Sequence, residues 1–148
     1  MKPFDQYPED DSTRLPQIRG ANARRGYGLE LMRLTNQTHC AYCEISLADD
    51  FYRWLLLSVD HVIPRAEYKR LGIPIEWGES YSNSVLCCLG CNGFDNRYRI
   101  RWQETSSDWT VERFFQLRNK VFADRKARIL NLMAKERQFF LSLPWNKD

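Results

Sequence analysis

The chain has 148 residues, 43% of them hydrophobic and 28% charged, a composition that excludes a disordered or collagen-like polymer and is enough for one globular domain. No apolar run approaches the roughly 20 residues of a membrane span, and the opening MKPFDQYPED lacks the apolar stretch of a signal peptide, so a cytoplasmic protein with no membrane partner is expected. With 22 Lys and Arg against 19 Asp and Glu the formal charge is only +3, so a surface for nucleic acid must come from segregated charge rather than from excess.

Residues 1–20 are polar, with Pro3, Pro8 and Pro16 and an acidic cluster at Glu9, Asp10 and Asp11, and read as an irregular arm. Between Arg14 and Arg33 stand Arg14, Arg19, Arg24, Arg25 and Arg33 against the single acid Glu30. These arginines fit a solvated face as well as a phosphate contact. Leu31 and Leu34, three apart, predict a helix over 21–35. Residues 51–63 are aromatic, aliphatic and β-branched, and the run Leu55 to Val59 predicts a buried strand that Pro64 stops. Gly72, Pro74 and Gly78 mark 65–82 as a connecting excursion, and Ser84 to Cys87 predicts a second short strand. From Cys88 to Arg101 the chain begins as a turn and is expected to become a helix. The last segment, 108–143, is the clearest helix, capped by Asp108 or Thr110, with Val111, Phe114, Phe115, Phe122, Ile129, Leu132, Met133, Phe139 and Phe140 near helical spacing. It reads as one long amphipathic helix, or two, with the apolar stripe on the core and the basic residues outward.

Four of the five cysteines fall into two matched pairs, Cys40-x-x-Cys43 and Cys88-x-x-Cys91, 45 residues apart. In a reducing compartment five cysteines argue against a disulfide framework, whereas a C-x-x-C turn lets two thiolates reach one ion. Two such turns close a tetrahedral Zn²⁺ site with no open position, the pattern of a structural rather than a catalytic zinc. The alternative is two pairs of buried free thiols. Cys87 is expected to turn away from the pair into apolar packing, because strand side chains alternate. Four thiolates and one Zn²⁺ sum to about −2, taking the formal charge to roughly +1.

A second constellation lies between the knuckles. Asp60 and His61, in the run Val59-Asp60-His61-Val62-Ile63-Pro64, end the first strand; Asn83 precedes the second, and Asn92 follows Cys91. These four become neighbours if the strands pair and the next helix packs on them, an arrangement the zinc would enforce. Asp60 and Asn92 offer hard oxygen ligands suited to Mg²⁺ or Mn²⁺, and His61, with a reference pKa of about 6.5, can serve as a base near neutrality. Adjacent Asp60 and His61 face opposite sides of an ideal strand, so a local bend, or a bridge through a metal and a phosphate, is needed for them to act together.

The order C-x-x-C, then D-H-V-I-P, then S-N-S-V-L-C-C-x-x-C-N resembles the HNH nucleases of the ββα-metal fold, over Cys40 to about Asn96. The resemblance implies an α+β fold with a ββα-metal core over about 38–102, stapled by the four-cysteine zinc site and flanked by an N-terminal and a long C-terminal helix in a single domain spanning 1–148. It implies that His61 activates water for attack on a phosphodiester. Asp60 and Asn92 would hold one divalent ion, Mg²⁺ or Mn²⁺, and Asn83 would orient the imidazole by holding its loop. Double-stranded DNA is the expected substrate only because it is the family's usual one. The sequence departs from the family where many members have C-N-x-x-K: Asp95 replaces the Lys, and a carboxylate there repels phosphate or adds a metal ligand. Asn96 is a further amide ligand to weigh against Asn92, and the double glycine of smaller members is missing after Pro64.

A nuclease needs a phosphate track. Arg97, Arg99 and Arg101, with Tyr98 and Trp102 interleaved, suit backbone contact plus stacking; the same spacing also fits residues that alternate between solvent and core. Two other classes of function fit the sequence. One is a zinc-structured nucleic-acid-binding module without catalysis, which needs no divalent ion at Asp60 and Asn92. The other is an interaction protein whose Phe-rich C-terminal helix docks on a protein partner.

Overall fold

The computed structural model describes Phe4, Tyr7 and residues 22–102 and 108–146; the arm expected over 1–20, with Arg14 and Arg19, lies otherwise outside the described residues. Helix α1 runs Ala23–Thr35. Asn22 caps its first turn, its Oδ1 accepting the Arg24 N–H at 3.1 Å, and Asn36 closes it in the left-handed conformation at φ 52°, a backbone that Asn adopts more readily than most residues. α1 buries Gly26, Gly28, Leu31 and Thr35.

The expected strand over Leu55–Val59 begins later. Asp50 caps a short helix, α2, Phe51–Leu55, through the Arg53 N–H at 3.0 Å, and strand β1 then occupies Leu57–His61. An apolar run alone did not distinguish the last turn of a helix from the first residues of a strand; the cap decided it. The excursion over 65–82 holds helix α3, Arg65–Arg70, helix α4, Ile75–Gly78, and a 3₁₀ turn, Tyr81–Asn83. Strand β2, Ser84–Cys88, pairs antiparallel with β1, with Leu57 opposite Cys88, Asp60 opposite Val85 and His61 opposite Ser84. Helix α5, Leu89–Phe94, follows directly and packs on both strands. It is shorter than the helix expected up to Arg101. Beyond it Tyr98 and Ile100 are buried while Arg97, Arg99 and Arg101 are exposed.

Helix α6, Val111–Ser142, is one continuous element of 32 residues, about 48 Å long. Thr110 caps it, its Oγ1 accepting the Arg113 N–H at 3.2 Å. Its buried stripe is Phe114, Leu117, Arg118, Val121, Phe122, Arg125 and Ile129. Phe139 and Phe140, expected on the core side, are 61% and 53% exposed, because the core they would pack against ends near Ile129 and the helix does not. No helix among the described residues is long and apolar enough to cross a membrane.

The core joins both strands, α1, α6 and the Cys40 knuckle, with Leu31, Tyr42, Leu57, Val85, Leu86, Cys87, Phe114 and Val121 fully or almost fully buried. Cys87 sits there as alternation predicts. Where α1 crosses β1, a Cβ on Gly28 would lie 2.0 Å from Leu57 Cδ2. Alanine gains about 1 kcal/mol of helix propensity over glycine, but overpacking a buried contact typically costs 1–3 kcal/mol, about as much or more. Gly28→Ala is therefore expected to lower the urea midpoint with an unchanged m-value; a raised midpoint would show that Leu57 repacks freely.

Candidate metal centre and adjoining polar cavity

The Cys40–Cys43 turn belongs to a small hairpin. Cys40 N–H donates to Ile45 O and Glu44 N–H to Cys40 O, both at 2.9 Å, and His39 bridges Ser46. Glu44 takes the left-handed conformation, φ 64°, which turns the chain back after the second thiol. Ala41 N–H donates to Leu86 O at 2.9 Å and hangs the hairpin on β2. Cys88, the last residue of β2, also caps α5, its Sγ accepting the Cys91 N–H at 3.4 Å. These contacts bring the Sγ atoms of Cys40, Cys43, Cys88 and Cys91 within 4.8 Å of one another. Cys43 and Cys88 are 3.8 Å apart, the separation of about 3.8 Å that two sulfurs take when each lies 2.3 Å from a tetrahedral Zn²⁺. The four cysteines are thus positioned to bind one metal ion and fit a structural zinc. Hydrogen bonds from Cys88 and Cys91 favour a thiolate at Cys40, whereas burial raises the Cys43 thiol to about 11; further thiolates call for a cation among them. His39 is not part of the cluster; its Nδ1 lies 3.1 Å from Thr38 Oγ1.

Beside this centre a polar cavity of about 240 Å³ is lined by Asp60, His61, Arg65, Asn92, Asn96 and Arg125 among others. Asp60 and His61 both reach it although they are consecutive in β1. The sheet has only two strands, and a cavity at a strand end can be lined by successive residues where one on a closed face cannot. The Asp60 carboxylate is anchored on one side. Tyr42, inside the first knuckle, donates its hydroxyl to Oδ2 at 2.6 Å, and Arg125 Nη1 lies 2.7 Å from the same oxygen. Oδ1 accepts no hydrogen bond among the described residues. Asn92 donates from Nδ2 to Ser58 Oγ at 3.1 Å, which leaves its Oδ1 without a hydrogen bond among the described residues. One carboxylate oxygen and one amide oxygen at a shared cavity suit a hard divalent ion that keeps several waters. The His61 imidazole makes no hydrogen bond among the described residues. Burial, reinforced by Arg65 and Arg125 and opposed by Glu79 and Asp60, lowers its pKa below the usual 6.5, so the ring is neutral at pH 7 and can accept a proton.

Asn83 does not touch the imidazole. It is fully buried and clamps the main chain two residues on, accepting the Ile63 N–H at 3.0 Å and donating to Ile63 O at 3.0 Å and Gly78 O at 2.8 Å. Alanine at this position would leave three buried backbone groups unpaired, at about 1–3 kcal/mol each before relaxation. Asn83→Ala is expected to cost on the order of 3 kcal/mol in denaturant unfolding. A loss under about 1 kcal/mol would mean that water replaces the amide.

Asp95 neither faces the cavity nor is open to phosphate. It is buried, with Arg128 Nη2 3.2 Å from Oδ1 and Arg125 Nε 3.7 Å from Oδ2. The two roles expected for it, repelling phosphate or binding metal, give way to anchoring α6. The arginine track is also revised in part. Arg97, Arg99 and Arg101 are exposed, but Arg99 Nη1 pairs at 2.9 Å with Glu67, a buried carboxylate that also binds Arg70. Tyr98 is buried, donating its hydroxyl to Asp124 Oδ2 at 2.8 Å, and so offers no stacking platform. Trp102 is half-buried beneath Lys120, whose Nζ lies 4.2 Å from the ring. Of the N-terminal arginines, Arg33 pairs with Glu30 at 2.7 Å.

Sequence reasoning missed Tyr42 and Arg125. Arg125 is 1% exposed and also donates from Nη1 to His61 O at 2.7 Å and Val62 O at 2.9 Å. Its signal was present: positions 118, 122, 125 and 129 lie at helical spacing on the stripe of α6 that carries Phe122 and Ile129, so arginines on it must find buried partners. No protein-family model matches the chain, and neither a curated protein nor a solved structure matches it.

Proposed function

We propose that the protein is a metal-dependent endonuclease of the HNH type, stapled by a structural zinc at Cys40, Cys43, Cys88 and Cys91. The observation that carries this reading is the meeting of Asp60, His61 and Asn92 at one polar cavity beside the four-cysteine cluster. The strand–strand–helix order of β1, β2 and α5 supports it. His61, neutral and without a hydrogen bond among the described residues, takes a proton from water as that water attacks a phosphodiester. Asp60 and Asn92 would hold a divalent ion, Mg²⁺ or Mn²⁺, which when bound would supply charge stabilisation to the phosphate and its leaving oxygen. Asn83 holds the main chain next to His61, so its effect on the ring acts through the backbone. Arg97 and Arg101, exposed and without ion-pair partners among the described residues, are available to phosphates of a nucleic acid, double-stranded DNA being the first substrate to try.

The test is nicking of a supercoiled plasmid by zinc-loaded protein in Mg²⁺ or Mn²⁺. Relaxed plasmid is expected with either ion and none without. EDTA alone is ambiguous, because a chelator can also strip the cysteines; restoring zinc and Mg²⁺ separately after chelation distinguishes the two sites. An intact plasmid under all metals contradicts the reading. The neutralisation of Asp60 by Arg125 favours a second reading, a zinc-structured module that binds nucleic acid without cutting. Under it, DNA is retained in a filter assay while the plasmid stays closed.

A further inference from the structure

The cavity offers a divalent ion little free negative charge. Its lining holds one carboxylate, Asp60, against two guanidinium groups, Arg65 and Arg125. Arg65 Nε pairs with Glu79 at 3.2 Å, outside that lining. Behind the cavity Asp60 pairs with Arg125, and Asp95 with Arg125 and Arg128, so the one carboxylate of the lining is already matched by a guanidinium. The arrangement is rigid: Arg125 is fixed by Asp60 and by the carbonyls of His61 and Val62, with the rings of Tyr42 and Tyr98 under 6 Å from its guanidinium carbon. Asp60 Oδ2 is committed to Tyr42 and Arg125, so only Oδ1 remains for a cation. A site with one ligand oxygen from an already neutralised carboxylate and one neutral amide oxygen attracts Mg²⁺ or Mn²⁺ weakly; a phosphate, accepting from the Arg65 guanidinium at the cavity wall, would bring the ion further anionic oxygens.

We propose that the cavity takes its divalent ion only together with a phosphate-bearing strand, and that Arg125 is the positioning residue that imposes this order by keeping Asp60 neutralised and one-handed. The inference rests on the nuclease reading for the identity of the ion and the ligand. Linkage makes it quantitative: whatever factor the strand adds to the ion's affinity, the ion adds to the strand's.

The experiment is a Mn²⁺ titration followed by the electron-paramagnetic-resonance signal of free Mn²⁺, on zinc-loaded full-length His61→Ala protein so that no turnover occurs. It is run with and without a DNA duplex, the duplex alone being subtracted. Duplex is expected to tighten one Mn²⁺ site by about ten-fold or more, and Asp60→Asn to remove that site. Arg125→Gln is expected to raise the duplex-free affinity by a similar factor, whereas Arg125→Lys, which keeps the charge, leaves it low. Equal affinity with and without duplex overturns the inference, and so does a Mn²⁺ site that is absent in both. If Arg125→Gln does not fold, the affinity ratio in the Arg125-containing protein decides alone. The two ideas fail differently. A nicked plasmid with duplex-independent Mn²⁺ binding sinks only the coupling, and a closed plasmid with duplex-dependent binding sinks only the nuclease.

Discussion

Removing the metal from the four-cysteine centre, or replacing Cys88 by Ser, is expected to unfold the protein. The centre ties together three pieces: the hairpin around Cys40 and Cys43, the end of β2, and the first turn of α5. The sheet has two strands of five residues each, and an isolated pair of strands is marginal in water. Structural Zn²⁺ contributes on the order of 10 kcal/mol of apparent free energy, comparable with the 5–15 kcal/mol that separates a typical domain from its unfolded state. Cys88 is the sharpest position to change, since its sulfur also accepts the Cys91 N–H and caps α5. Elemental analysis should find one zinc per chain, and thermal unfolding followed by circular dichroism should lose its cooperative transition on chelation. Because the ligands bind as thiolates, acidification should release zinc and stability should fall with it as pH drops. A soluble Cys88→Ser protein that melts cooperatively with no zinc would contradict this account.

His61→Ala should leave fold and zinc content intact and abolish cleavage. The imidazole makes no hydrogen bond among the described residues, and His61 is only partly buried, so truncation removes little packing and orphans no partner. A positioned general base contributes roughly 10²–10⁴-fold to a rate, equivalent to about 3–5 kcal/mol of barrier, a loss that plasmid nicking registers as no product over the usual time course. A general base works unprotonated. With its pKa held below 6.5 by burial, nicking should be pH-independent around neutrality and fall only as the medium becomes acidic enough to protonate the ring. A His61→Ala enzyme cutting at the native rate would remove His61 from the mechanism and leave the zinc frame untouched.

The exposed end of α6 leaves the idea of a protein partner its motive. Phe139, Phe140, Leu141 and Trp145 are each more than half exposed, and they lie beyond the last residue that the helix buries.

The cysteine spacing determined the metal centre on its own. A C-x-x-C turn is a local object, and two of them leave few ways to arrange four sulfurs around one ion. The strands, the first helix and the long last helix were legible for a similar reason: caps, prolines and apolar periodicity act within a few residues. Asp60, His61 and Asn92 were legible as a group because β1 pairs with β2 and β2 runs directly into α5. What tertiary structure decided was the company these residues keep. Arg125 lies 65 positions from Asp60 in the chain, and nothing local ties them. Their pairing exists because the buried stripe of α6 crosses the cavity at that turn, where a guanidinium has to find a carboxylate or stay out of the core. The same crossing took Asp95 out of the cavity and Tyr98 off the surface, and it put Phe139 and Phe140 beyond the core. Each of those outcomes depends on where one long helix meets the sheet, a distance that no spacing along the chain records.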